Sequence, residues 1–335
     1  MKSNYRYIVK AFMAMAVIAG TTSCDDFLDR EPMSSISPET YYSTAAQLEA
    51  NLNDEYPNVL PSFGQWTYGI FGEDKGTDNQ IEVNANDRYT QDRWKVPHSE
   101  SDNWKFERIY RINFFLSEAL PKFGEDMSGS QNTISGSVAT IKHYIGEMYF
   151  LRAYEYFKKL QLFGDFPIID QPLADEMEAL REASKRFPRN EVARFIISDL
   201  DKAYAYMSDV DMATTRINKD AAMLVKSRVA LFEATWLQNF KGTAFVPGGE
   251  GWPGASLHNN YQYPSGNLDN EVKYFLEQAV EASKLVADKY KGNLTENTGV
   301  LQQSADDPSN PYFDMFAQED LSDVKEVLLW RQYAR

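Results

Sequence analysis

Histidine is the residue from which acid–base or metal chemistry is most often built, and the chain has three, His98, His143 and His258. They stand far apart, with no pair at the spacing that puts two ligands on one helix face. The strings HExxH, GxSxG and a P-loop do not occur. Gly249, Gly251 and Gly254 form a G-x-G-x-x-G string (GEGWPG), but it follows no strand, contains Pro253 and opens no helix, so it is not a dinucleotide fingerprint. Asp306, Asp307 and Asp314 offer hard oxygens to a structural Ca²⁺ but lack the spacing of a known calcium loop, and solvated acids are the stronger reading. The expectation is a protein without catalytic machinery or a resident cofactor.

Aromatic side chains in glycine-rich connections offer a different chemistry. Sugar rings present flat C–H faces that pack on indole and phenol rings, while carboxylates, amides and arginines bond the hydroxyls. Residues 57–100 hold Trp66 and Trp94, and residues 238–268 hold Trp252, Tyr261 and Tyr263 among six glycines and three prolines. Connections of this length are uncommon in a compact helical domain unless they serve a function. Trp66, Trp94, Trp252, Tyr261 and Tyr263 are therefore the candidate stacking groups, with Asp78 and Arg93 for hydroxyl bonding. The competing reading is that these rings plug their loops onto the helices. Trp104, Trp236 and Trp330 are expected within elements, in the core.

One residue has a chemistry of its own. Lys2, Arg6 and Lys10 precede the apolar run 11–20, and Thr21, Thr22 and Ser23 lead into Cys24. That is the layout of a secretory signal peptide. Ten apolar residues span only about 15 Å as a helix, half of the hydrocarbon core of a bilayer. Cys24 is the only cysteine, so it forms no internal disulfide. The stretch resembles the bacterial lipobox, with Thr21 where leucine is usual. Residues 1–23 are expected to be removed, Cys24 to carry lipid, and 24–36 to form an acidic tether.

Removing residues 1–23 takes away three positive charges and leaves 31 basic against 49 acidic residues, a formal charge of −18. Nucleic-acid binding needs a basic footprint and is not expected. The elements that must hold the loops are helical. Ser37-Pro38-Glu39 marks the start of a helix expected to end before Pro57, and a second follows Ser101–Asp102 with Ile109, Ile112, Leu116 and Leu120 on one face. A third, from Ser137 to Phe163, is aromatic nearly all round and so central. Within it Leu151, Tyr154 and Phe157 are expected to be core. Three more begin near Asn190, Asn218 and Asn270. Sustained period-two alternation is almost absent, so the fold class is mainly α. The uneven helix starts allow only a degenerate, interrupted tetratricopeptide-like array.

Taken in order along the chain, SCDDFLDREP, DNWKFERIYRINFFLSEAL (102–120), GEMYFLRAYEYFKKLQLFGDFPIID (146–170), FPRNEVARFIISDLDKAYAYM (187–207), RINKDAAMLVKSRVALFEATW (216–236) and LSDVKEVLLW (321–330) resemble the SusD/RagB outer-membrane nutrient-binding lipoproteins. The resemblance implies a SusD-like helical domain over 37–335 with long irregular loops. It also implies an expectation that the usual C-terminal portion of a typical member is lacking. Its implied function is capture of an oligosaccharide, in some relatives a peptide, for a SusC-type TonB-dependent transporter. The implied place is the cell outer membrane, lipid-anchored and facing the exterior. The alternatives are a helical protein-interaction scaffold or peptide-binding lipoprotein and, more remotely, a surface-anchored glycosidase.

Overall fold

The computed structural model describes residues 41–61, 80, 103–208, 212–301, 303–304 and 306–332. Cys24, the tether, Ser37, Trp66, Asp78, Arg93, Trp94 and His98 lie outside the described residues. Among the described residues eight α-helices follow one another: α1 Ala45–Val59, α2 Glu107–Phe123, α3 Val138–Phe163, α4 Met177–Ala183, α5 Arg189–Tyr206, α6 Lys219–Asn239, α7 Leu268–Tyr290 and α8 Pro311–Ala317. Among the described residues the only β pairing is two isolated bridges, Thr44 with Ser135 and Phe166 with Phe187. Helix α3 lies at the centre, packed on α1, α2 and α5; α5 then packs on α6, and α6 on α7. This is a tetratricopeptide-like scaffold with uneven repeats.

The sequence explains each helix locally. Helix α1 opens at Thr44 with a reciprocal cap: Thr44 Oγ1 accepts from Gln47 N, and Gln47 Oε1 accepts from Thr44 N. The helix start expected at Ser37 lies outside the described residues. The helix also runs through Pro57 to Val59, because a proline in the last turn costs a single backbone bond. Ser137, Asn218 and Asn267 cap α3, α6 and α7 through their side chains. Helix α3 is buried on nearly every side, Leu151 and Phe157 included. Gly146 lies where α3 meets α5; a Cβ there would stand 2.8 Å from Met207 Cγ and 2.9 Å from the Ala203 carbonyl oxygen. No larger residue permits that approach.

Arginine–carboxylate pairs tie the stack together. Arg152 of α3 bonds both oxygens of Asp199 on α5, at 2.6 and 2.8 Å, and donates to Asn113 Oδ1 on α2. Arg189 of α5 holds Glu233 on α6, and Arg194 of α5 holds Glu271 on α7. Arg216 holds Glu147 on α3. Bidentate geometry makes each pair directional as well as charged. His143 is buried with Nε2 3.0 Å from the Ile217 carbonyl oxygen, and His258 Nε2 lies 2.8 Å from that of Arg186.

Candidate functional site

The connection after α6 is built from turns. The amides of Thr243, Val246, Gly249, Trp252 and Ala255 each donate to the carbonyl three residues earlier, so the chain folds back every third residue. Gly249 is packed so tightly that a Cβ there would lie 1.9 Å from the Thr243 carbonyl oxygen. The glycine string therefore serves turn geometry.

This ladder of turns delivers Trp252, Tyr261 and Tyr263 to one place, with ring centroids 5.6 Å apart for Trp252–Tyr261 and 5.1 Å for Tyr261–Tyr263. Their polar ends point inward. Trp252 Nε1 donates to Asp165 Oδ2 at 2.7 Å, and Asp165 Oδ1 accepts from the Arg189 amide at the start of α5. Burial pushes the Asp165 carboxyl above its usual range despite these donors. Tyr261 OH exchanges hydrogen bonds with the Asn190 amide, and Tyr263 OH donates to the Pro247 carbonyl. Burial raises both phenols well above the ordinary tyrosine value. Beneath them Glu271 is held low: burial opposes ionisation, but donors from Arg194, Asn190 and Ser265 outweigh it. The Trp252 indole is 4 % exposed, with His258 stacked on it at 5.9 Å. In this arrangement it offers no open face to a ligand and acts as the pin between loop and α5. Tyr261 and Tyr263 are half-buried.

A second aromatic region lies elsewhere. A groove of about 650 Å³ opens between the end of α1, the middle of α3, the start of α6 and the extended segment 327–332. That volume is typical of a ligand cleft. Tyr56 and Tyr154 stand in its wall, Tyr154 stacked on Phe150 at 6.1 Å, and Trp330 faces it from the extended segment. The walls are fixed. Tyr56 OH donates to Glu147 Oε2 at 2.6 Å and accepts from the Ile217 amide. Asn218 Nδ2 donates to the Leu328 carbonyl, and Trp330 bonds Thr214 through both its backbone amide and its indole nitrogen.

Two of the charged groups that line the groove do not satisfy one another. Glu326 Oε1 is buried and lacks a hydrogen-bond partner. Arg228, exposed on α6, makes no hydrogen bond or ion pair among the described residues. A buried acceptor without a donor is costly unless a ligand or solvent meets it. The exposed guanidinium beside flat rings can donate to hydroxyls, and the buried Glu326 oxygen leaves an acceptor unanswered in the groove wall.

Sequence reasoning missed this groove. Tyr154 is expected to be core and instead forms the wall, because the groove leaves this side of α3 uncovered. Trp330 is expected within an element and lies in an extended segment. No local periodicity signals a pocket whose walls are some 270 residues apart in sequence, from Tyr56–Pro61 to Glu326–Gln332. The acids Asp306, Asp307 and Asp314 gather no ligand set: Asp307 accepts from the Gln303 and Ser304 amides of its own turn. Among the described residues no three His, Cys, Asp or Glu side chains cluster as a metal site requires.

Residues 26–231, more than half of the chain, match the profile of the SusD-like family described as starch-binding and associating with the outer membrane. The chain belongs to that family. This SusD-like chain is 25 % identical over 253 residues to SusD-like protein P2 of Formosa agariphila, covering 72 % of itself and 46 % of that protein. It is 25 % identical over 233 residues to SusD-like protein P25 of the same organism, covering 64 % and 41 %. It thus spans less than half the length of these curated relatives. Among solved structures it resembles a SusD-like carbohydrate-binding protein from Bacteroides vulgatus, with 14 % identity, a TM-score of 0.45 and coverage of 77 % and 47 %. It also resembles a laminarin-binding SusD-like protein, with 21 % identity, a TM-score of 0.31 and coverage of 41 % and 27 %.

Proposed function

We propose that this chain is a surface lipoprotein that captures oligosaccharides without turning them over and passes them to a SusC-type TonB-dependent transporter in the outer membrane. The observation that carries the binding half is the groove: rigid aromatic walls beside an unpaired Arg228 and a buried, unbonded Glu326 oxygen. Family membership supports a glycan as the ligand class. Binding without turnover fits the deep carboxylates: Asp199, Glu233, Glu271 and Glu147 are each clamped by an arginine and poorly placed to shuttle protons. Trp66, Asp78, Arg93 and Trp94 remain in the proposal for the chemistry their side chains carry, with Tyr261 and Tyr263 as half-exposed rings.

A glycan array, followed by isothermal titration of any hit, tests the reading. Glycan binding weakened in Tyr154→Ala and in Arg228→Ala, with the fold intact, is the expected result. Binding of peptides and of no glycan would transfer the groove to a peptide ligand. Lipid anchoring is tested separately: Cys24→Ala should release the protein from membranes without changing its thermal stability, and an unchanged outer-membrane fraction would place the anchor elsewhere.

A further inference from the structure

A second hollow adjoins the groove, and its chemistry is opposite to that of the chain as a whole. It encloses about 420 Å³ between the start of α2 and the second half of α3, and Lys105, Arg108, Lys158 and Lys159 line it with only Glu107 and Glu155 in opposition. The lining thus carries two more positive than negative charges in a chain whose net charge is −15. Gathering four cations in one concavity has an electrostatic cost, because like charges repel at short range.

Internal partners do not saturate the donors of Arg108 and Lys158. Glu155 is shared by Lys158, at 3.1 Å, and Lys159, at 3.4 Å. Lys159, nearly buried, also donates to the Asn103 carbonyl at 2.8 Å and so holds the strand of chain leading into α2. The Arg108 Nη1 forms a long ion pair with Glu55 Oε2, 3.7 Å away and too far for a hydrogen bond, and that oxygen accepts no hydrogen bond. Arg108 therefore makes no hydrogen bond among the described residues, although its side chain is only 31 % exposed. A fork of free N–H donors at a concave surface suits a planar carboxylate or a sulfate.

Only a thin ridge separates the hollow from the aromatic groove. Pro57 faces the groove and Asn58 the hollow; Tyr154 faces the groove and Lys158 the hollow. The Lys158 ammonium lies 5.6 Å from the centre of the Tyr154 ring, so the two sides meet at that pair. The geometry points to an acidic oligosaccharide, carrying uronate carboxylates or sulfate esters, as the ligand: its rings lie on the groove aromatics and its anionic substituents enter the Arg108–Lys158 hollow. This inference rests on the glycan-capture reading above and narrows it, since a neutral starch chain brings no charge to the hollow.

Titration calorimetry of the full chain separates the two ideas. The probes are oligogalacturonate and a chondroitin sulfate oligosaccharide, against laminarihexaose and maltohexaose as neutral chains. At least one acidic probe should bind at low salt and weaken as salt rises. Arg108→Gln and Lys158→Gln should each reduce its affinity roughly tenfold, the scale of one charge-assisted hydrogen bond. Lys273→Gln, on the exposed side of α7, should not. Thermal melts of each variant check the fold, and Lys158, with a side chain 41 % exposed, is a safe replacement if Arg108 proves structural. Preference for the neutral probes, or acidic binding untouched by both variants, overturns the inference and leaves glycan capture standing. Binding of no probe by a folded protein, with no hit on the glycan array, removes both.

Discussion

Two aromatic regions of this chain look alike in composition and differ in the fate of their polar atoms. In the turn-built connection after α6, the Trp252 indole nitrogen and the Tyr261 and Tyr263 hydroxyls each meet a partner inside the protein. In the groove, Tyr56 and Trp330 are anchored as well, but among the described residues Arg228 makes no hydrogen bond and a buried Glu326 oxygen accepts none. Aromatic density alone therefore does not mark a recognition surface. What distinguishes one is hydrogen-bonding capacity that the fold leaves unanswered beside rings it holds still.

The contrast can be broken by mutation. The largest effect is expected for stability in the first region: Trp252→Ala should cost about 3–5 kcal/mol, as should Phe157→Ala in the core of α3. Chemical denaturation measures both, and a Trp252→Ala variant as stable as the parent but unable to bind glycan would exchange the roles of the two regions. Gly249→Ala comes next, at about 1–3 kcal/mol, because its methyl group would be driven into the Thr243 carbonyl. A thermal midpoint equal to the parent's would mean that the turn ladder yields easily.

Acidification sharpens the same comparison through the sign of its slope. Glu271 is held below its ordinary value, so the stability it contributes is present above about pH 4.5 and is lost as pH falls through its folded pKa. Asp165 is raised, so its penalty is present above its folded pKa and is relieved as pH falls toward its ordinary value of 3.8. Glu271→Gln should therefore flatten the acid-side loss of stability and Asp165→Asn should steepen it. Urea unfolding across pH 3 to 6 reads both as opposite changes in the slope of stability against pH, and equal slopes in the two variants would refute the assignment. The smallest effects belong to the groove. Tyr154→Ala or Trp330→Ala should weaken glycan binding about fivefold, near 1 kcal/mol, with a much smaller stability change than Trp252→Ala.

The helical frame was legible because its signals are local. Ser137 and Asn218 cap their helices as their side chains predict, and Ile109, Ile112 and Leu116 fall on one buried face of α2. The resemblance carried by residues 146–170 led to the right family for a related reason, since Gly146 and Arg152 are fixed by contacts that the fold cannot otherwise make. The candidate site was legible only in part. Aromatic rings in a glycine-rich stretch are visible in sequence, but their environment is not: Trp252 looks the same on paper whether it faces a ligand or Asp165. The groove was illegible because α1, α3, α6 and the segment 327–332 meet only in three dimensions. Tyr154 was hidden by its place in a helix that is otherwise buried.

The ladder of three-residue turns has a consequence for survival among proteases. A protease must lay its substrate out as an extended strand across its own active site. Between Phe240 and Leu257 the chain folds back at almost every third residue, with the amides of Thr243, Val246, Gly249, Trp252 and Ala255 engaged and Trp252 pinned to Asp165. Phe245 and Leu257 are exposed, with side chains that digestive enzymes favour, yet the backbone around each is closed into turns. Cleavage there requires several turns to open together, so a connection that reads as a vulnerable loop resists digestion as a folded element would.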